Sequence, residues 1–115
     1  MAPNFMIARA ANVARMTVMA EDSDITSLRF RIEGFVQAVG YRNFAIDEAR
    51  RLGLDGWIRN RSDGTVEALA SGETKKIEEF AQACMRGPPG SRVTSVEMHN
   101  AVPPEEKGFR RRPSV

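Results

Sequence analysis

The segment Gly34–Arg42 combines the residue types that bind phosphate-like anions. Its sequence, Gly-Phe-Val-Gln-Ala-Val-Gly-Tyr-Arg, joins a predicted strand to a predicted helix. A glycine-containing loop that enters a helix exposes several unpaired N–H groups, which form a natural anion site. Arg42, in the first turn of that helix, adds a permanent charge with a planar fork matched to phosphate oxygens. Because an arginine there opposes the helix dipole, a bound anion would resolve the conflict.

The common phosphate-loop and RNA-binding patterns do not describe this segment. Five residues separate Gly34 from Gly40 and no Lys-Ser/Thr pair follows, so it is not a Walker A loop. The dinucleotide-binding fingerprint fails on its spacing and on the lack of a predicted parallel βαβ sheet. A weak similarity of Gly34–Tyr41 to an RNA-recognition strand lacks the alternating aromatics that stack bases.

Two strand–helix–strand units must position this loop. Alternating apolar and charged residues predict strands, apolar residues at helical spacing predict helices, and Asp63-Gly64 predicts a hairpin turn. The predicted order is strand 28–33, helix 41–52, strand 56–60, strand 65–71, helix 77–85, strand 93–98 and a candidate short fifth edge strand at 109–111. This β-α-β-β-α-β order predicts an α+β, ferredoxin-like sandwich, an antiparallel sheet with both helices on one face. The superfold hosts many functions and assigns none.

Length, composition and charge restrict the class of protein. A chain of 115 residues fits one domain, and no apolar run approaches the ~18 residues of a membrane-spanning helix. One cysteine and one histidine exclude an internal disulfide framework and a zinc cluster. The net charge of +2 does not by itself indicate nucleic acid. The run Arg110–Arg112 predicts a solvated strand edge, with anion attraction as the alternative. We therefore expect a soluble cytoplasmic domain with no metal or cofactor and no nucleic-acid or membrane partner.

Residues 1–26 differ in composition from the rest of the chain. Arg9 and Arg15 stand in an acid-free stretch, and three acidic residues follow within positions 21–24. The stretch lacks the compact apolar region of a secretory signal, although its start has a weak similarity to a transit peptide. We predict a disordered or loosely ordered extension over 1–26, with Met16 or Met19 as later starts, and a domain over 27–115.

A second segment, Gly56–Glu67, completes a family pattern. Together with Gly34–Arg42 and Ala49–Leu54, it resembles the acylphosphatase family. That pattern runs G-x-V-Q-G-V-x-[FY]-R, then A-x-x-L-G-L-x-G-W-V-x-N, then a D/K-G-T-V turn. Asn60 lies 18 positions after Arg42, as the family requires, and the resemblance covers roughly residues 28–112.

The resemblance implies hydrolysis of small acyl phosphates to a carboxylate and inorganic phosphate, which would be both product and inhibitor. In that family the loop backbone and its arginine hold the phosphoryl group, and the strand asparagine positions water. By position, Arg42 and Asn60 are then the catalytic residues. The substrate-binding residues are Val36, Gln37, Ala38, Val39, Gly40 and Tyr41. The resemblance implies an enzyme that works as a monomer and without a metal. No metal is needed because a carboxylate is a good leaving group and phosphoryl transfer relies mainly on positioning.

Position 38 departs from the family pattern, because Ala38 stands where the family usually has glycine. If the loop needs a positive φ there, alanine costs about 1 kcal/mol and tilts an amide away from the phosphate. A non-catalytic anion-binding or protein-interaction module on the same fold therefore stays open. So does a carbamoyl-phosphate-handling unit similar to the N-terminal domain of hydrogenase-maturation carbamoyltransferases.

Other chemistry-bearing side chains have structural interpretations. Tyr41 and Trp57 are predicted to be core or pocket wall, and Gln37 to make loop hydrogen bonds. Cys84 lies on the apolar stripe of the second helix, which predicts an inert buried thiol. His99 lies in a predicted strand without a Ser-Asp partnership, so we expect a surface or edge position.

Overall fold

A computed structural model describes residues 5–9 and 24–115, which form two helices and one six-stranded sheet. The order of strands across the sheet is β1-β5-β2-β4-β3-β6. In chain order the elements are β1 (Phe5–Arg9), β2 (Ile25–Phe35), α1 (Tyr41–Arg51), β3 (Asp55–Asn60), β4 (Val66–Glu73), α2 (Thr74–Arg86), β5 (Arg92–Asn100) and β6 (Phe109–Arg111).

Strand β2 runs through the centre of the sheet, between β4 and β5. Its alternation places Phe30 and Ile32 in the core, whereas Arg29 and Arg31 lie on the opposite face. At its end the pairing with β5 shifts, since Glu33 faces Ser95 but Gly34 faces Val93. Gly34 has a φ of 128°, and a Cβ there would lie 2.0 Å from the carbonyl oxygen of Arg92. Only glycine therefore fits at this shift in register, one residue before β2 ends.

Both helices pack on one face of the sheet and enclose the core. The Phe80 ring on α2 contacts Phe30 of β2 and Phe109 of β6, with centroid distances of 5.3 and 5.7 Å. The Tyr41 hydroxyl at the start of α1 donates a hydrogen bond of 2.7 Å to the carbonyl oxygen of Cys84 on α2. This bond fixes the start of α1 relative to the end of α2.

The predicted ferredoxin-like fold is confirmed, and the candidate fifth strand is present as β6. It pairs with β3 in parallel, with Phe109 beside Gly56 and Arg111 beside Ile58, so the sheet is mixed rather than purely antiparallel. Residues 101–108 carry the chain from β5 to the far edge of the sheet. The chain reverses direction on the way, and because β5 runs opposite to β3, β6 runs parallel to β3.

Part of the predicted N-terminal extension takes up strand structure. Phe5–Arg9 pairs antiparallel with β5, from His99 to Ser95. The first core strand begins at Ile25, two residues before the predicted boundary. Positions 1–4 and 10–23 of that extension, with the later starts Met16 and Met19, lie outside the described residues, and the domain boundary stays a prediction.

Candidate active site

The loop between β2 and α1 is anchored to the core and to the neighbouring hairpin. Val36 is buried, at 1% exposure, and fixes the start of the loop. The Gln37 amide donates from Nε2 to the carbonyl oxygens of Arg61 and Thr65, both at 2.8 Å. These carbonyls flank the β3–β4 turn, so the predicted loop role of Gln37 is confirmed. Val39 packs against the core.

Two residues of the loop have a left-handed backbone. Ala38 has a φ of 62° and is the only non-glycine residue with positive φ in the described ranges. Gly40, the residue before α1, has a φ of 78°. Such turns direct successive N–H groups into one anion-binding concavity. The first helical bond joins the Phe44 N–H to the Gly40 oxygen at 3.0 Å, so the amides of Tyr41–Asn43 precede helix hydrogen bonding.

A small pocket of about 110 Å³ lies at the start of α1 and brings the two predicted catalytic residues together. This volume suits a small anion and is well below the roughly 300–1,000 Å³ of drug-sized sites. It is lined by Val36, Ala38, Gly40, Tyr41, Arg42, Asn43, Asn60 and Arg111. Of the predicted substrate-binding residues, Gln37 and Val39 are not among the lining residues, because their side chains are used to hold the loop.

Arg42 extends from the first turn of α1 with no carboxylate to balance its charge. Partial burial lowers the pKa of its guanidinium, and the positive charge of Arg111 lowers it further. No acidic residue lies in the first turn of α1, and within residues 24–115 none forms an ion pair with Arg42. The helix dipole and the second arginine both oppose this cation, so an anion in the pocket would stabilise it.

Asn60 is the last residue of β3 and faces the same pocket. Its Oδ1 atom is buried and has no hydrogen-bond partner among the described residues. An unsatisfied buried acceptor costs about 1–3 kcal/mol, and such atoms are rare in folded proteins. A donor from a ligand or from water would complete it.

Two lining residues, Asn43 and Arg111, were not predicted to belong to the site. The side chain of Arg111 donates from Nη2 to Oδ1 of Asn43. By contrast, Arg110 pairs with Glu106 at 3.1 Å, and Arg112 lies 4.9 Å from the Trp57 ring centroid. The arginine run therefore divides between the two faces of the sheet, and only its middle member enters the pocket. The signal in the sequence that could have identified Arg111 is strand alternation: Phe109 lies in the core, so the side chain two residues later lies on the same face of the sheet.

The other singled-out side chains have structural roles. Tyr41 is buried and forms part of the pocket wall, as predicted. Cys84 is buried as predicted, and burial raises the pKa of its thiol to about 12. His99 is partly exposed, with Nε2 at 2.7 Å from Oε1 of Glu97.

A larger cavity of about 730 Å³ lies on the opposite face of the sheet. Charged side chains line it, and they pair with one another. Arg31 contacts Asp63 at 3.2 Å, and Glu67 accepts from Arg61 at 3.0 Å. This mutual pairing leaves little unbalanced charge for an anion, in contrast to the pocket at Arg42.

Residues 5–9 and 24–115 contain neither a cluster of metal ligands nor a membrane-crossing helix. No group of three or more His, Cys, Asp or Glu side chains there could hold a metal ion. None of the helices described is long and apolar enough to cross a membrane.

A pocket of this size, lined by Arg42 and Asn60 at the start of a helix in an α+β sandwich, suits a phosphoryl group. The acylphosphatase family model matches residues 28–111. The chain belongs to the acylphosphatase family. It is a hydrolase that converts small acyl phosphates to a carboxylate and inorganic phosphate.

Individual relatives agree with this assignment. The chain is 41% identical over 96 residues to an acylphosphatase of Rhizorhabdus wittichii, covering 84% of this chain and 97% of the relative. The solved acylphosphatase of Coxiella burnetii superposes with a TM-score of 0.74 at 30% identity, covering 83% of this chain and all of that one. Full-length HypF, solved in a phosphate- and nucleotide-bound form, superposes with a TM-score of 0.73 at 30% identity. This chain covers 12% of HypF, so the likeness to that protein is confined to one part of it. With acylphosphatases as full-length relatives, the non-catalytic alternative is set aside.

Proposed function

We propose that the loop backbone from Val36 to Tyr41 and the Arg42 guanidinium hold the phosphoryl group, while the Asn60 amide positions the attacking water. One observation carries this division of roles: Asn60 lines the same pocket as Arg42, and its buried Oδ1 has no hydrogen-bond partner within residues 24–115. The unbalanced charge of Arg42 supports the anion-binding half of the proposal. The positioning of water by Asn60 is supported by the chemistry of acyl phosphates, because their carboxylate is a good leaving group and the reaction needs an oriented water more than a strong acid.

In the reaction, the water oxygen forms a bond to phosphorus while the bond from phosphorus to the acyl oxygen breaks. The carboxylate leaves with the electron pair of that bond. The phosphoryl oxygens stay negatively charged throughout, and Arg42 with the loop amides stabilises them. The Asn60 Oδ1 accepts a hydrogen bond from the water and orients it. A neutral amide does not accept the water proton at neutral pH, so the role of Asn60 is positioning, and the proton passes to a non-bridging phosphoryl oxygen to give H2PO4⁻ beside the carboxylate.

Substitutions at Arg42 and Asn60 test these roles separately. Asn60→Ala should lower kcat for benzoyl phosphate by about 10²–10³, which is about 2.7–4 kcal/mol, while the inhibition constant of phosphate stays within about twofold. Arg42→Ala should weaken phosphate inhibition and lower kcat/KM together, because Arg42 contacts the phosphoryl group before and during the reaction. Asn100→Ala is the matched control, since Asn100 pairs with Leu28 at the end of β5 and does not line the pocket, and it should match the parent protein.

Two results would contradict the assignment. One is a kcat of Asn60→Ala within about twofold of the parent, a barrier change of only ~0.4 kcal/mol. The other is phosphate inhibition that survives unchanged in Arg42→Ala. Running all assays with a chelator present also tests the proposed metal independence, which predicts an unchanged rate.

We further propose that the enzyme works as a cytoplasmic monomer without a nucleic-acid partner. The edge strand β6 is three residues long and rich in arginine, which disfavours strand pairing between copies. Arginines on the open sheet face are balanced by Glu67 and Asp63, which supports the expectation of no nucleic-acid surface. A single free cysteine is compatible with a reducing compartment. Light scattering and cell fractionation test these statements.

A further inference from the structure

Arg111 occupies a defined position next to the proposed water-positioning residue. It pairs with Ile58 across the parallel β6–β3 ladder, and Asn60 lies two residues further along β3 on the same face. The Arg111 side chain lines the pocket of about 110 Å³ together with Arg42 and Asn60. Arg111 thus approaches the pocket from the sheet edge, whereas Arg42 approaches it from α1.

The pocket holds two cations that no carboxylate of residues 24–115 balances. The positive charge of Arg111 is close enough to lower the pKa of Arg42. The hydrogen bond from Arg111 goes to the neutral amide of Asn43, and in residues 24–115 neither arginine forms an ion pair with an acid. Other arginines in residues 24–115 have different partners. Arg31, Arg59 and Arg110 each contact a carboxylate within 3.2 Å. Arg50 donates to a carbonyl oxygen, and Arg86 and Arg112 lie over aromatic rings.

The number of unbalanced charges matches the substrate. The phosphoryl end of an acyl phosphate carries two negative charges at neutral pH, so one arginine leaves half of that charge unbalanced. Two guanidinium groups on either side of a phosphoryl-sized pocket balance both charges and offer several donors to its oxygens. The mutual repulsion of the two arginines is then relieved by the bound dianion.

We propose that Arg111 is a second phosphoryl-binding residue, which together with Arg42 clamps the dianionic end of the substrate. Asn43 holds the Arg111 guanidinium over the pocket before the anion arrives. The inference rests on the proposed roles of the loop and Arg42. Because the non-bridging oxygens are charged in both the ground state and the transition state, Arg111 contributes to KM and to phosphate inhibition more than to kcat.

The test compares Arg111→Gln with Arg110→Gln, which removes the same charge from the same strand on the opposite face. Sulfate is the probe, because it stays a dianion across neutral pH, and nitrate is its monoanionic counterpart. We expect Arg111→Gln to raise the inhibition constant of sulfate and the KM for benzoyl phosphate about tenfold, with kcat within about threefold. Nitrate inhibition should change less, Arg111→Lys should recover part of the loss, and Arg110→Gln should stay within twofold of the parent.

Sulfate-induced thermal shifts, measured on the same variants, give a readout that does not depend on activity. An inhibition constant for sulfate within twofold of the parent in Arg111→Gln overturns the inference, and so does an equal loss in Arg110→Gln, which would indicate general surface electrostatics. Arg42→Gln separates the two proposals. If it abolishes sulfate binding while Arg111→Gln does not, only the clamp fails; if Arg42→Gln also binds sulfate normally, the proposed site itself fails.

Discussion

At the scale of single residues, the site contains three local conformations or contacts that are unfavourable without a ligand. Asn60 buries an acceptor that nothing in the described chain satisfies. Arg42 faces another cation and the positive end of its helix. Ala38 adopts a backbone conformation that alanine disfavours, with a φ of 62°. Strain of this kind concentrates where binding or catalysis requires it.

Ala38 provides a test of the cradle that involves only the backbone. Ala38→Val should weaken phosphate binding at least tenfold and destabilise the fold by about 1–3 kcal/mol, because a β-branched residue at positive φ is a severe outlier. Ala38→Gly is the matched control. It removes the left-handed penalty but also makes the unfolded chain more flexible, so its stability should stay within about 1 kcal/mol of the parent.

Phosphate titrations followed by thermal unfolding measure affinity and stability together for both variants. If Ala38→Val binds phosphate like the parent protein, the left-handed conformation at this position does not shape the cradle.

At the scale of elements, the cradle depends on the contact between the loop and the β3–β4 hairpin. The single Gln37 amide bridges two backbone carbonyls of that hairpin. Asn60 belongs to the same hairpin, at the end of β3. Gln37 therefore holds the anion-binding loop at a fixed distance from the residue proposed to orient water.

Gln37→Glu tests this bridge with almost no change in shape. The carboxylate replaces two N–H donors by acceptors that face two carbonyl oxygens, so we expect a loss of about 1–3 kcal/mol in the free energy of unfolding. The loosened loop should also lower kcat/KM. Gln82→Glu, on α2, is the matched control for the added charge and should have much smaller effects.

Urea unfolding at pH 7 and benzoyl phosphate kinetics provide the two measurements. Equal stabilities of Gln37→Glu and Gln82→Glu would show that the bridge does not hold the loop.

At the scale of the whole molecule, the start of α1 is tied to α2 through the core. The Tyr41 hydroxyl bonds to the carbonyl oxygen of Cys84, and the Cys84 thiol is fully buried among core residues. Burial raises the pKa of this thiol to about 12, from an ordinary value of 9.0. The thiol therefore stays neutral in the folded protein at pH values where the unfolded chain ionises it.

This difference predicts a loss of stability at alkaline pH. A raised pKa in the folded state means that the contribution is fully present below about pH 9 and is lost as pH rises towards 12. Between pH 9 and 11, the parent should lose more unfolding free energy than Cys84→Ala, which lacks the titrating group. Parallel slopes for the two proteins in urea titrations would contradict the prediction.

Much of this organisation follows from local patterns in the chain. The alternation of Leu28, Phe30 and Ile32 predicts β2 and its buried face, because the side-chain period of a strand is two. The order of elements restricts the topology to the observed ferredoxin-like arrangement. The motif around Arg42, and Asn60 at its fixed spacing, identifies the acylphosphatase family before any coordinates are considered.

The sequence by itself predicted seven of the eight described elements, the fold class and the two residues proposed for catalysis, since each depends on spacing within a short stretch or on an ordered motif. The tertiary structure decided which remote groups meet. It placed β1 beside β5, aligned β6 parallel to β3, and turned Arg111 rather than Arg110 towards Arg42. The physical reason is that a one-residue change in strand register moves every side chain to the opposite face, and long-range pairing sets that register. The unpartnered oxygen of Asn60 is likewise a property of everything packed around it, which no local pattern encodes.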